Sequence, residues 1–65
     1  MLSKLIQRRG LTCTEVLKRA GVMPKTYYGI INGDSHPRGA TLIKLADALE
    51  LNDDERDELF KFYGY

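Results

Sequence analysis

Residues 12–33, TCTEVLKRAGVMPKTYYGIING, decide the fold of this chain, because they read as two short helices separated by three residues. The Thr12 hydroxyl suits the position that caps a helix start. Val16, Leu17 and Ala20 follow at i, i+1 and i+4, on the side that would face a core. Gly21 then ends the run, since a residue without Cβ takes a positive φ without a clash and lets the chain turn sharply. Pro24 restarts it: its fixed φ suits a first helical position, where its missing N–H would have had no partner. Tyr27, Ile30 and Ile31 recur at i, i+3 and i+4 and make the inner face of this second helix. Outward lie Lys25, Thr26, Tyr28 and Gly29, which offer one cation, two hydroxyls and a bare stretch of backbone. Such a face can meet phosphates and base edges.

Working outward, Leu2, Leu5 and Ile6 repeat at helical spacing, and Gly10 stops the run after Arg8 and Arg9, cations that suit a helix C-terminus. Beyond Asn32, residues 33–39 (GDSHPRG) are dense in turn formers and too polar to bury, so they form a loop. Leu42, Leu45, Ala46 and Leu49, flanked by Ile43 and Ala48, then return with period 3.6. Asn52 with Glu55 three places on makes a capping box, and the neighbouring carboxylates suit a helix N-terminus. The expected architecture is all-α, with five helices at about residues 2–9, 13–20, 24–32, 40–50 and 53–63. No internal repeat or low-complexity tract interrupts it.

Gly10-Leu11-Thr12, Glu15-Val16, Gly21-Val22, Thr26, Ile30, Asn32-Gly33, Pro37, Thr41-Leu42, Lys44-Leu45-Ala46 and Ala48-Leu49 stand together in one order. As a set they resemble the lambda repressor, Cro and Xre type of DNA-binding domain, over residues 2 to about 51. The resemblance implies a compact lambda-repressor-like fold with a helix-turn-helix, and a sequence-specific, dimeric transcription regulator, most naturally a repressor of phage or mobile-element type. Residues 24–32 would be the recognition helix lying in the major groove. Departures are also visible. Family members often carry Gln at Cys13, a long polar side chain at Gly29, a capping Ser or Thr at Met23, and an Arg–Glu pair where this chain has Ile6 and Ile31. Exchanging a partly buried ion pair for packed aliphatics is often neutral or stabilising, so that double change is coherent.

Composition narrows the function further. Sixty-five residues are read as one domain, residues 1–65, with no room for a catalytic lobe. One cysteine and one histidine exclude an internal disulfide and a structural zinc site, so apolar packing alone must hold the fold. Neither a leader pattern nor a bilayer-spanning apolar run is present, and the expected location is the reducing cytoplasm, at the nucleoid through DNA binding. The net charge of +1 divides unevenly. Residues 1–38 carry seven cations against Glu15 and Asp34, a net +5; residues 39–65 carry three cations against seven carboxylates, a net −4. A basic portion containing the outward helix face, backed by an acidic portion, fits one side approaching phosphates. Chance asymmetry in a small helical chain is the plainer alternative.

Lys25 and Tyr28 lie three apart and share one outward face. Lys25 can donate to guanine or to a phosphate, and Tyr28 can bond a phosphate or lay its ring on a thymine methyl. Thr26 and Gly29 flank them. Thr12, Cys13 and Thr14 open a helix whose N–H groups suit a phosphate. A thiol there invites a redox reading, but no second cysteine can resolve an oxidised one, and a small residue at a tolerant position is the simpler account. Asn32 can donate to a phosphate, and Arg38 is placed like residues that reach phosphates or the minor groove in relatives. A free surface Arg is the alternative. Asp34, Ser35 and His36 are neighbours in a polar loop, not partners gathered in a pocket, so no catalytic residue is assigned. No metal ligand set, cofactor motif or membrane partner is expected.

The expected partners are a double-stranded DNA operator and a second copy of the chain. One small module reads few bases, so selectivity calls for a second half-site. Phe60, Phe62, Tyr63 and Tyr65 are the expected dimer interface, being more aromatic than a small core requires; the alternative is that Leu59, Phe60 and Tyr63 cap the monomer core. The rival function is an antitoxin or adaptor that holds a regulatory protein partner, with DNA contact weak or secondary.

Overall fold

The computed structural model describes residues 2–65. Met1, included in the single-domain expectation, lies outside them. Five helices follow in order: α1 (Leu2–Arg8), α2 (Cys13–Ala20), α3 (Pro24–Ile31), α4 (Gly39–Ala48) and α5 (Asp53–Phe62), and no strand occurs among the described residues. The expected all-α, five-helix architecture is thus the observed one.

Helix starts follow the side chains that can cap them. The Thr12 hydroxyl accepts from the Glu15 N–H at 3.2 Å while the Glu15 carboxylate accepts from the Thr12 N–H at 3.2 Å, a capping box at the start of α2. Asn52 and Glu55 do the same for α5, at 2.8 and 3.2 Å. Each box is worth about 1 kcal/mol relative to an alanine cap. At the start of α3, Met23 holds the cap position with no side-chain hydrogen bond. Pro24 lowers that deficit by having no N–H to satisfy.

Helix ends explain why the elements are shorter than the apolar periodicity indicated. In α1, α3, α4 and α5 the chain closes with an N–H reaching back five residues: Leu11 to Ile6, Asp34 to Gly29, Leu51 to Ala46 and Tyr65 to Phe60, at 2.8–3.3 Å. This closure satisfies carbonyls that the helix leaves open and, after α1 and α4, folds Leu11 and Leu51 back on the core. Leu49 and Leu51 therefore keep their buried places, yet α4 stops at Ala48 instead of residue 50. Glu50 takes φ 53° there, a left-handed conformation costing a side-chain-bearing residue roughly 1–2 kcal/mol. Burial of Leu51 offsets that strain. At the other end α4 begins at Gly39, one residue earlier than expected.

The core takes Leu2, Leu5 and Ile6 from α1, Val16 and Ala20 from α2, Tyr27 and Ile30 from α3, Leu42, Leu45, Ala46 and Ala48 from α4, and Leu59 from α5. Central to it is α4, which packs against both α2 and α5; each fully buried leucine contributes roughly 1.5–3 kcal/mol. Leu17 and Ile31 are only half-buried, so the inner faces of α2 and α3 are narrower than expected. Two surface ion pairs brace the frame: Arg9 to Glu55 at 2.5 Å joins the ends of α1 and α5, and Arg56 to Asp47 at 2.6 Å joins α5 to α4. Exposed pairs of this kind contribute under about 1 kcal/mol each. No helix among the described residues is long and apolar enough to cross a membrane.

Candidate functional site

Tyr27 fixes the outer face of α3. Its ring is buried at 1% exposure and its hydroxyl donates to the Cys13 sulfur at 3.4 Å, so the middle of α3 abuts the first turn of α2. Burial, and then the bond to Cys13, push its phenol well above the ordinary tyrosine range. Tyr28 stands edge-on to Tyr27, with ring centres 5.2 Å apart, and leaves 47% of its surface to solvent. A buried ring thus supports an exposed one. Lys25 and Thr26 are exposed on the same short helix, and Lys25 forms no ion pair among the described residues.

At the first turn of α2, Thr12, Cys13 and Thr14 are all exposed. The Thr12 oxygen is already engaged with Glu15, so the groups this turn offers an anion are the backbone N–H donors of Cys13 and Thr14. The Glu15 carboxylate sits over the same turn and weakens its pull on a phosphate. The Cys13 sulfur serves as an acceptor for Tyr27, a packing role that the sequence did not reveal.

Gly29 requires a correction. It is half-buried, not a bare outward stretch, because Ser35 folds over it: a Cβ at position 29 would lie 2.6 Å from the Ser35 oxygen and 3.2 Å from its Cβ. The Gly29 carbonyl accepts from the Asp34 and Ser35 N–H groups at 2.8 and 3.1 Å. Close approach of the chain's own loop accounts for the glycine. Asn32 ends α3, exposed, and Arg38 precedes α4, exposed and without an ion pair among the described residues. His36 meets the Tyr63 carbonyl at 2.6 Å while Ser35 lies against Gly29, so these loop neighbours serve separate contacts. Among the described residues, no three or more His, Cys, Asp or Glu side chains converge as a metal set.

The four C-terminal aromatics divide. Phe60 and Tyr63 pack half-buried against the core, and burial raises the Tyr63 phenol. Tyr65 leaves 54% of its surface to solvent and is also tied to the loop before α4: its hydroxyl donates to the Pro37 carbonyl at 2.8 Å and its ring lies 5.7 Å from His36. Phe62 is 61% exposed, at the rim of a groove of about 190 Å³ that Leu2, Ser3, Ile30, Ile31, Asn32 and Tyr63 help line. A second groove of about 310 Å³ runs past Ile6, Leu11, Tyr27 and Ile31 to Thr12 and Cys13, so Ile6 and Ile31 share one apolar wall.

Together these contacts hold one cation, several hydroxyls and open amide donors on two helix segments joined by Tyr27. Hydrogen bonding to phosphates and base edges is what they equip the surface to do. The model of one protein family, described as a helix-turn-helix domain, matches residues 2–59. No curated protein and no solved structure matches the chain. The matched span takes in α1 to α4 and α5 as far as Leu59, and it stops short of the folded-back tail.

Proposed function

The chain belongs to the helix-turn-helix domain family, and from that premise we propose that it is a sequence-specific regulator of transcription that binds double-stranded DNA as a homodimer, as a repressor of phage or mobile-element type. Residues 1–65 act as one DNA-binding domain, located at the nucleoid. Residues 24–32 enter the major groove, with Lys25, Thr26 and Tyr28 toward the bases and phosphates. Thr12, Cys13, Thr14, Asn32 and Arg38 take the phosphate backbone on either side. Gly29, covered by Ser35, offers DNA no contact of its own. The observation that carries this reading is the Cys13–Tyr27–Tyr28 stack, which ties the phosphate-seeking turn of α2 to the exposed face of α3. Exposed Lys25 and Arg38 supply charge that no carboxylate neutralises among the described residues. A body measuring 25 × 24 × 18 Å is also of the size at which two copies side by side reach half-sites about 34 Å apart.

One observation favours a second reading. Phe62, exposed beside a groove of mixed polarity that Leu2, Ile30 and Ile31 line together with Ser3 and Asn32, is the posture of a residue awaiting a protein. It serves the homodimer, or it serves the antitoxin or adaptor that holds a regulatory partner. Sequencing the genomic fragments retained by the protein at physiological salt, beside a Lys25→Ala/Tyr28→Ala control, separates the two. Enrichment of a two-fold symmetric site that the control loses supports the operator-binding homodimer; equal retention by both proteins, or none, turns the reading toward the protein partner.

A further inference from the structure

The loop of residues 33–38 carries Arg38, and it is held at both ends. Toward α3, the Asp34 and Ser35 N–H groups bond the Gly29 carbonyl and Ser35 covers the missing Cβ. Toward α4, the holding group is Tyr65, a residue distant in sequence and outside the family match. After α5 the chain closes with Gly64 at φ 86°, Gly64 N–H to the Lys61 carbonyl at 3.0 Å and Tyr65 N–H to the Phe60 carbonyl at 2.8 Å. That closure aims the Tyr65 ring back at the loop. Its hydroxyl donates to the Pro37 carbonyl at 2.8 Å, its ring lies 5.7 Å from the His36 ring, and its edge would stand 4.0 Å from a Cβ on Gly39. Tyr65 therefore engages His36 and Pro37, the two residues that precede Arg38, and stands beside Gly39, which follows it. His36 adds a second tie by meeting the Tyr63 carbonyl at 2.6 Å.

We propose that Tyr65 is a positioning residue for Arg38: the folded-back end of α5 fixes the loop in which Arg38 meets the nucleic acid backbone. The proposal rests on the DNA-binding reading above. Ordering a loop costs conformational entropy, and a loop ordered in advance spares the binding step that cost. Arg38 itself forms no ion pair among the described residues, so its direction depends on the backbone beneath it. Removing the ring returns the ordering cost to binding, while removing only the hydroxyl leaves the ring against His36 and Phe60.

The test is a cycle of affinities for the duplex enriched from genomic DNA, measured well below the melting temperature of every variant. Tyr65→Ala is expected to weaken binding about tenfold, Tyr65→Phe two- to threefold, and Arg38→Ala by itself about tenfold. In the Arg38→Ala background, Tyr65→Ala should then have almost no further effect, because the residue it positions is gone. A merely structural Tyr65 would weaken both backgrounds equally, and that additivity overturns the proposal. Equal affinity of Tyr65→Ala and the unaltered chain also overturns it while leaving DNA binding intact. If the unaltered chain selects no duplex, both the DNA-binding reading and this one fall.

Discussion

Replacing Gly29 with alanine tests why a glycine stands in the middle of α3. In an open helix interior, Gly→Ala stabilises by about 0.5–1 kcal/mol. Here the new Cβ would come 2.6 Å from the Ser35 oxygen and 3.2 Å from the Ser35 Cβ. The oxygen can rotate away. The Ser35 Cβ cannot move without its backbone, which two hydrogen bonds to the Gly29 carbonyl hold in place. Weakening one of those bonds costs about 0.5–1.5 kcal/mol, enough to cancel or exceed the helical gain. Gly29→Ala should therefore leave stability unchanged or lower it by up to about 1 kcal/mol. In a Ser35→Gly background the obstruction is gone, and the same change should raise stability by about 0.5–1 kcal/mol. Thermal unfolding followed by far-UV circular dichroism resolves this, since 1 kcal/mol moves the midpoint of a domain this small by about 4–8 °C. An equal rise in both backgrounds would refute the packing account and return the glycine to a role in approaching a ligand.

Three further outcomes follow from particular contacts. Met23 is 70% exposed and gives α3 no side-chain cap, so Met23→Ser should raise stability by about 0.5–1 kcal/mol; a lower urea midpoint would contradict the uncapped start. Accepting the Asn52 N–H, with the Arg9 guanidinium adding to it, holds the Glu55 carboxyl below its ordinary value. Its folded pKa lies below the unfolded one, so its stabilisation is complete above the unfolded value of about 4.3 and fades as pH falls through the folded value. Glu55→Gln should thus be less stable than the unaltered chain at neutral pH, with the gap closing below about pH 4; a gap independent of pH counts against it. Phe62→Glu should shift sedimentation toward a smaller species, since the ring is exposed on the single chain; an unchanged assembly would remove Phe62 from any interface.

Much of the fold was legible because its determinants are local. Thr12, Gly21, Pro24, Asn52 and the 3.6-residue spacing of Leu42, Leu45 and Leu49 act through neighbours a few positions away, which sequence shows directly. Helix ends were less legible. Glu50 adopts a left-handed backbone that its side chain does not advertise, and the burial of Leu51 that favours it is tertiary. The outward residues of α3 were legible as a face, but its cover was not: Ser35 over Gly29, Tyr27 on Cys13 and Tyr65 on Pro37 join positions 6, 14 and 28 residues apart. Two signals were nevertheless present. The Thr12–Glu15 spacing marks a capping box, and a glycine followed by an aromatic after α5 marks a closure that turns the next side chain back.

The central claim is that the exposed face of α3, with the first turn of α2 and the Arg38 loop, is the surface that meets DNA. Titrating isotope-labelled protein with its enriched duplex, and with a scrambled duplex of equal length, and following backbone amide shifts by NMR tests it most directly. The account predicts saturable shifts at residues 12–14, Lys25, Tyr28, Asn32 and Arg38 that the scrambled duplex reproduces only weakly. Shifts confined to the Phe62 groove and α5, or identical shifts with both duplexes, would contradict it.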